Sequence, residues 1–298
     1  MDEWTGVAGK RVVMTGATNG IGLAAAEKLA ALGAELTIVA RSPERAARAV
    51  ERIREAAADA PVPEVLLADL SSQAEVRRLA AELLHRHERI DVLVNNAGAM
   101  FRTRRLTVDA IEETWALNHL APFLLTNLLL DRLKQHPPAR IITTASDAHR
   151  GSHIPFDDLG AETSGKGRGF ARYGETKLAN ILFTVQLARW LEGSGVTANC
   201  FHPGLVASGF NQNNGRLMKL AMAAIKPFAR TPEKGAETLV WLADSPDVNN
   251  DNGGYFVDKR LTLPSAEAQD PEAVRRLWEV SRVQVSDPRA ESLGADRA

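Results

Sequence analysis

Tyr173 and Lys177 stand four residues apart in the helical stretch YGETKLANILFTVQLARWL, so they share one face a single turn apart. An unperturbed phenol ionises near pH 10, which leaves roughly one part in a thousand as phenolate at neutrality. A fixed ammonium one turn away favours the phenolate, and a phenol made acidic in this way can exchange a proton with a carbinol or carbonyl oxygen. Alone the pair is a weak signal, because Tyr and Lys meet at this spacing on many helices. Tyrosine is scarce in the chain, with Tyr173 and Tyr255 the two copies. Tyr255 follows Gly253-Gly254 in a strand, where Lys259 forms no helical pair with it, and its reading is structural.

A second constellation could hold a hydride carrier. Thr15-Gly16-Ala17-Thr18-Asn19-Gly20-Ile21-Gly22 joins an apolar strand to the helix LAAAEKLAALGA. Gly16, Gly20 and Gly22 let the backbone approach a pyrophosphate while the helix N-terminus directs free N–H groups at it. The spacing is G-x-x-x-G-x-G rather than G-x-G-x-x-G, and by itself it could be a tight strand-to-helix connection. Three later positions favour a dinucleotide. The second strand ends in Val39-Ala40-Arg41-Ser42, with no carboxylate to take a ribose 2′-hydroxyl, and Glu35 lies at its wrong end. An arginine there pairs with a 2′-phosphate, which favours NADP(H) over NAD(H); the plainer reading of Arg41 is an exposed charge after a strand. Ala68-Asp69-Leu70 ends the third strand, where the carboxylate can accept from an adenine amino group. Asn95-Asn96-Ala97-Gly98 ends the fourth, at the carboxyl edge where open α/β sheets bind ligands. An oxidised nicotinamide ring near Tyr173 would add to its acidification.

The elements that must position these residues alternate. Apolar runs at 11–15, 35–40, 63–68, 91–95, 140–145, 196–201 and 254–258 read as about seven buried parallel strands. Helical stretches at 21–32, 43–58, 72–88, 107–134, 174–192 and 233–243 lie between them, and Ser42-Pro43 and Thr231-Pro232 place a cap residue before proline. The expected fold is α/β: a single-domain Rossmann-type doubly wound sheet with helices on both faces, spanning 1–298 with a core of about 8–260. Two segments, 147–172 and 204–230, interrupt the alternation and look like insertions around a site. The tail 265–298 has one helical stretch, 271–283, whose Val274, Leu277, Trp278 and Val280 or Ser281 can form an apolar stripe that docks on the domain before the chain frays after about Asp287.

Composition narrows the partners. With 36 Lys+Arg against 37 Asp+Glu in 298 residues, 45% hydrophobic and 24% charged, the chain can bury a full core yet lacks the basic excess that nucleic acid or an anionic bilayer requires. Aromatic content of 5% disfavours a base-stacking surface. One cysteine, Cys200, excludes an intramolecular disulfide and a Cys-based zinc site, which fits a reducing compartment. The start MDEWTGVAGK has no apolar core of a signal peptide and no apolar run spans a bilayer, so a cytoplasmic protein is expected. Gly160 to Gly167 nearly spells a P-loop but ends in Gly where a hydroxyl would bind Mg²⁺. His149 and His153 straddle Gly151 and read as exposed loop histidines rather than metal ligands, and no metal is expected. Thr144-Ala145-Ser146-Asp147 is no nucleophile elbow. The basic-apolar stretch 216–228 reads as a lid over an apolar pocket, with a membrane-surface helix as the alternative.

Taken together, these motifs resemble the short-chain dehydrogenase/reductase family over about residues 8–260. Thr15 to Gly22 matches its cofactor turn, Asn95 to Gly98 its NNAG motif, Asn118 its helix-borne asparagine, Ser146 its serine, Tyr173 and Lys177 its YxxxK pair, and Pro203-Gly204 its later turn. The resemblance implies that Tyr173 is the general acid/base and that Ser146 orients the substrate oxygen. It further implies that Lys177 binds nicotinamide ribose and lowers the Tyr173 pKa, that Asn118 holds a relay water, and that the backbone near Val206 binds the carboxamide. Trp115 to Leu120, Phe123 to Thr126, Lys177 to Phe183, His202 to Gly204, Arg276 to Val280 and the 27-residue step from Ser146 to Tyr173 resemble its retinol dehydrogenase-like and WW-domain-oxidoreductase-like branch. Ala121-Pro122 departs from that branch's Gly-His. The function so implied is NADP(H)-dependent interconversion of a lipophilic alcohol and its aldehyde or ketone, with reduction of a carbon–carbon double bond or non-catalytic dinucleotide sensing as alternatives. A small-molecule substrate is the expected partner, and a homo-oligomer is compatible with the reading.

Overall fold

The computed structural model describes residues 3–163, 169–206 and 229–285. In chain order they form β1 (Arg11–Thr15), α1 (Gly20–Ala31), β2 (Glu35–Ala40), α2 (Pro43–Ala56), β3 (Glu64–Leu67), α3 (Gln73–Arg86) and β4 (Val92–Asn95). There follow α4 (Glu113–Trp115), a wide π turn (Ala116–Leu120), α5 (Ala121–Gln135), β5 (Ala139–Thr144), α6 (Gly169–Trp190) and β6 (Val196–His202). The chain continues through α7 (Pro232–Asp244), β7 (Tyr255–Val257), β8 (Arg260–Leu261) and α8 (Pro271–Val285).

One sheet carries them in the order β3-β2-β1-β4-β5-β6-β7-β8. Pairing is parallel from β3 through β7, as the apolar runs predict. An eighth strand, unforeseen because it holds two exposed residues, pairs antiparallel to β7. The strand order reverses between β1 and β4, so a crevice opens at their carboxyl ends. Leu79, Leu83, Phe123, Leu129 and Leu182 fill one face of the sheet, and Leu29, Ile53, Phe201 and Leu239 fill the other.

Local chemistry sets the boundaries. Ser42 and Thr231 cap α2 and α7 by accepting from Arg45 N and Lys234 N, each with proline at the first helical position. The expected helix at 107–134 instead starts at Glu113, because Leu106 bridges to Glu112 around Ala110 at φ +58°. Helix α6 begins at Gly169 rather than 174, so Tyr173 sits one turn inside it. The ends of the 204–230 segment meet where Val206 bridges to Arg230; the rest of its lid reading, 207–228, lies outside the described residues. Docking of the tail holds: Val274, Leu277, Trp278, Ser281 and Val285 of α8 are buried, and Trp278 packs on Trp190 and Phe123 at ring separations of 4.0 and 4.8 Å. The fraying expected after Asp287 lies outside the described residues.

Candidate active site

At the sheet crevice the ends of β1, β4 and β5 are tied by two side chains. Thr15 Oγ1 donates to Val94 O at 3.2 Å and accepts from Asn96 N and Ala97 N at 3.0 and 3.1 Å. Asn96 Nδ2 reaches Thr15 O and Gly16 O, while its Oδ1 accepts from Thr144 Oγ1 at 3.1 Å. Asn96 therefore holds the glycine turn rather than pointing away from it. Gly16, at φ +68°, lies against Ala97, and a Cβ on Gly22 would come within 2.0 Å of Gly16 O. Only glycine permits this approach, and it sets the N-terminus of α1 just after Thr18 and Asn19, whose Oδ1 accepts from Gly20 N. Ile21 packs beneath the turn, where a Cβ on Gly235 would strike Val206 Cγ2 and approach Ile21.

Along the adenosine side, Arg41 is exposed and makes no hydrogen bond or ion pair with the described residues. Burial raises the carboxyl pKa of Glu113, and the fields of Arg105 and Arg41 oppose it. That carboxylate beside Arg41 was not legible in the sequence, since it lies more than seventy residues away. Ser42 is occupied as a helix cap and donates to Glu44 Oε2 at 2.6 Å. Asp69 Oδ1 accepts from Ser71 N and Ser71 Oγ, and Leu70 lines a small void with Thr15, Asn95 and Ala97. These residues fit a dinucleotide: a glycine turn at a helix N-terminus, an exposed guanidinium at the end of β2, and a polar crevice beyond.

Ser146, Tyr173, Lys177 and Asn118 come together at the ends of β4 and β5. Ser146 caps a short turn over Asp147–His149 and hydrogen-bonds the Tyr173 side chain. Gly174 makes that contact feasible, because a Cβ there would lie 2.5 Å from Ala148 O and 2.4 Å from Ser152 Oγ. Lys177 is buried, donates from Nζ to Thr144 O at 2.8 Å, and stands 5.4 Å from the centre of the Tyr173 ring. Burial pushes the Tyr173 phenol up to about 12, against the Ser146 hydrogen bond, and the Lys177 ammonium down to about 8. With the chain's own charges Tyr173 is thus a neutral phenol, opposite in direction to the acidification expected from Lys177. Desolvation of the buried phenol is the physical reason, and the Lys177 ammonium meanwhile donates to the Thr144 carbonyl.

Asn118 is fully buried and commits its side chain locally: Oδ1 accepts from Ala99 N, and Nδ2 donates to Ala99 O and Thr176 Oγ1. Gly98 fits between Asn118 Oδ1 and Lys177 Nζ. Four residues after Asn118 stands Pro122, which has no N–H to give the Asn118 carbonyl. The Ala121-Pro122 departure therefore removes the i,i+4 donor that an α-helix would offer this carbonyl, at the point where the wide π turn of 116–120 gives way to α5. Pro203 leads into Gly204, at φ +83°, where the Arg230 side chain fills the space a Cβ would need. Arg230 pairs through both amino groups with Asp258.

Two supports escaped the sequence reading. Arg172, buried beside Tyr173, donates to Glu112 Oε2 at 2.8 Å, Glu175 Oε2 at 2.9 Å and Leu159 O, so it clamps the 147–172 segment to α6. The triad joins charges sixty residues apart, and only i,i+3 spacing to Glu175 hints at it. His149 is buried rather than exposed: its Nδ1 donates to Ser146 O at 2.7 Å and its Nε2 accepts from Ser265 N at 3.1 Å. Tyr255 fits its structural reading, donating to Asp147 Oδ1 at 2.8 Å behind Ser146. Cys200 is buried in β6. Among the described residues no cluster of three or more His, Cys, Asp or Glu could hold a metal, and no helix is long and apolar enough to cross a membrane. Part of the P-loop look-alike, 164–167, lies outside the described residues.

Comparison with known proteins agrees with this geometry. The short chain dehydrogenase family model matches residues 10–158. Retinol dehydrogenase 14 of Homo sapiens is 39% identical over 297 residues, covering 93% of this chain and 86% of its own. A Streptomyces sp. (strain C5) protein, whose name proposes daunorubicin C-13 ketoreductase activity, is 38% identical over 95% of this chain and 94% of its own. Among solved structures, a short chain dehydrogenase from Burkholderia cenocepacia J2315 in complex with NADP superposes with a TM-score of 0.66 at 26% identity, covering 89% of this chain and 99% of that one. The glycine turn, the serine–tyrosine–lysine cluster and these likenesses converge: the chain belongs to the short-chain dehydrogenase/reductase family, on its retinol dehydrogenase-like side.

Proposed function

We propose that the chain is an NADP(H)-dependent oxidoreductase that interconverts a lipophilic alcohol and its aldehyde or ketone. The observation that carries this reading is the Ser146–Tyr173 hydrogen bond with Lys177 Nζ 5.4 Å from the phenol ring, placed at the crevice beside the glycine turn. The dinucleotide supplies hydride to the carbonyl carbon, or takes it from the carbinol. Gly16 to Gly22 and the N-terminus of α1 would receive its pyrophosphate, and Arg41 its 2′-phosphate.

In the reducing direction the neighbouring Ser146 and Tyr173 hydroxyls, which hydrogen-bond each other, would turn to a carbonyl oxygen that gains negative charge as hydride arrives. Tyr173, held near about 12, is fully protonated at neutral pH and has the proton to give. Lys177, held near about 8, carries its charge at that pH and steadies the phenolate left behind. Lys177, with Asn118 across Gly98 from it, would stand on the path by which the phenol regains its proton from water. The lipophilic preference is supported by the relatives' names, which print retinol and daunorubicin, and by the exposed apolar Leu205 and Phe170 beside the crevice-forming segments. The test follows NADPH and NADH absorbance against aliphatic and aromatic aldehydes, ketones, retinal and an activated alkene. Turnover of carbonyls with NADPH is expected; turnover of the alkene alone, or of nothing, overturns the reading.

A further inference from the structure

Ser146 stands just past β5, where backbone pairing to β6 ends with Ala145 N donating to Phe201 O at 2.8 Å. Beyond that point a single 3₁₀ turn, Asp147–His149, sets its place: Ser146 Oγ accepts from Ala148 N at 3.2 Å and Ser146 O from His149 N at 3.1 Å. One such turn is a weak fixture by itself. The His149 ring doubles back on the same carbonyl, with Nδ1 donating to Ser146 O at 2.7 Å, while its far corner Nε2 accepts from Ser265 N at 3.1 Å. A carbonyl can only accept and a backbone N–H can only donate, so the two bonds select one neutral tautomer, with the proton on Nδ1. The ring thereby ties the serine's main chain to a segment 116 residues on from His149.

That segment is delivered by the β7–β8 hairpin, whose tight turn holds Asp258 and Lys259 at φ +51° and +61°. After β8, Thr262 N donates to Tyr255 O at 2.8 Å, and Leu263 O accepts from Arg150 at 3.2 Å. The hairpin grips the turn a second time through Tyr255, which donates to Asp147 Oδ1 at 2.8 Å and sets its ring edge-on to the His149 ring at 5.1 Å. From the end of β6, His202 Nδ1 accepts from Asp147 N at 3.2 Å. His149 and Tyr255 are both buried. A buried polar bridge is unfavourable unless each of its bonds is made, and a turn that needed only to pack would be better served by an apolar side chain.

We propose that His149 is a positioning residue for Ser146, and that through it the β7–β8 hairpin becomes a working part of the active site. The hairpin places Ser265 N and the Tyr255 ring, these place the imidazole, and the imidazole holds the carbonyl of the residue whose hydroxyl meets the substrate oxygen. This inference rests on the catalytic reading of Ser146 given above.

The test is a double-mutant cycle. His149→Phe keeps a ring against Tyr255 and loses both bonds. His149→Gln can reach Ser265 N but not Ser146 O, whereas His149→Asn returns an N–H close to the position of Nδ1. With NADPH and the best carbonyl of the panel, His149→Phe and His149→Gln should lose about tenfold in kcat with NADPH KM unchanged, and His149→Asn should stay within about twofold of wild type. In a Ser146→Ala background, itself about 10²-fold slower, His149→Phe should cost no further rate, because a residue that acts through the serine has nothing left to position. In the nucleotide-free protein the ¹³Cζ signal of Tyr173, one of two tyrosines and assigned by its loss in Tyr173→Phe, should move in His149→Phe and His149→Gln and stay in place in His149→Asn. An unchanged kcat in folded His149→Phe, or an equal loss in both backgrounds, would overturn the inference and leave His149 as a packing residue. Should His149→Phe fail to fold, His149→Gln decides by the same cycle. Wild-type turnover by Ser146→Ala would instead remove the catalytic reading of the serine and the inference with it, and that single variant tells this failure apart from the other.

Discussion

Replacing Lys177 with methionine should stabilise the fold while abolishing turnover. The side chain is 3% exposed, and burial brings its ammonium from the ordinary 10.5 down to about 8. At pH 7 the folded chain must therefore keep a charge where a neutral group is preferred, at a cost of about 3 kcal/mol for that displacement. Methionine has similar length and no charge, so the variant removes this cost. It also loses the hydrogen bond to Thr144 O, worth about 1 kcal/mol, although Asn180 still serves that carbonyl. The net expectation is about 2 kcal/mol of added stability, or roughly 3–4 °C in Tm for a chain of this size. The sign follows from the lower folded pKa. Between about 8 and 10.5 the unfolded chain holds the proton more tightly, so wild type gains stability as pH rises through that window while the variant does not. The advantage of Lys177→Met should accordingly be largest below pH 8 and fade by about pH 10.5. Thermal unfolding of both proteins across pH 6.5 to 10.5 measures it. A variant less stable than wild type at pH 7, or an advantage independent of pH, would refute the reasoning.

Arg41→Ala should raise the NADPH KM by about tenfold or more, the loss of a charge-assisted bond to phosphate, and leave the NADH KM unchanged; equal KM values for NADPH in both proteins would contradict the 2′-phosphate assignment. Gly22→Ala drives a Cβ to 2.0 Å from Gly16 O, so a loss of about 3 kcal/mol in chemical denaturation and weakened NADPH fluorescence titration are expected. His119, held neutral by burial with its pKa at about 3, resists a proton that the unfolded chain takes up below about pH 6.5. Its contribution is present above pH 6.5 and lost as pH falls toward 3, so His119→Gln should reduce the pH slope of stability in that window by about one proton.

The sheet was legible because parallel strands buried on both faces must be apolar runs, and those at 11–15, 35–40 and 91–95 reappear as β1, β2 and β4 within a residue or so. The glycine turn was legible because no other residue tolerates the approach of Gly22 to Gly16 O. What escaped depends on contacts between distant segments. His149 read as an exposed loop residue because its acceptor and donor, Ser146 O and Ser265 N, become neighbours only when the tail folds back. The Arg172–Glu112–Glu175 cluster is hidden for the same reason. The neutral Tyr173 is subtler: spacing correctly put Lys177 one turn away, but spacing says nothing of how deeply the phenol is buried, and burial is what raises its pKa.

The central claim, that Tyr173 gives the proton, is tested most directly by NADPH oxidation in Tyr173→Phe. Binding of NADPH should persist, since no contact of the glycine turn changes, while kcat with the best carbonyl substrate falls by about 10² to 10⁴. Turnover near the wild-type rate in a folded, NADPH-binding Tyr173→Phe protein would contradict the account.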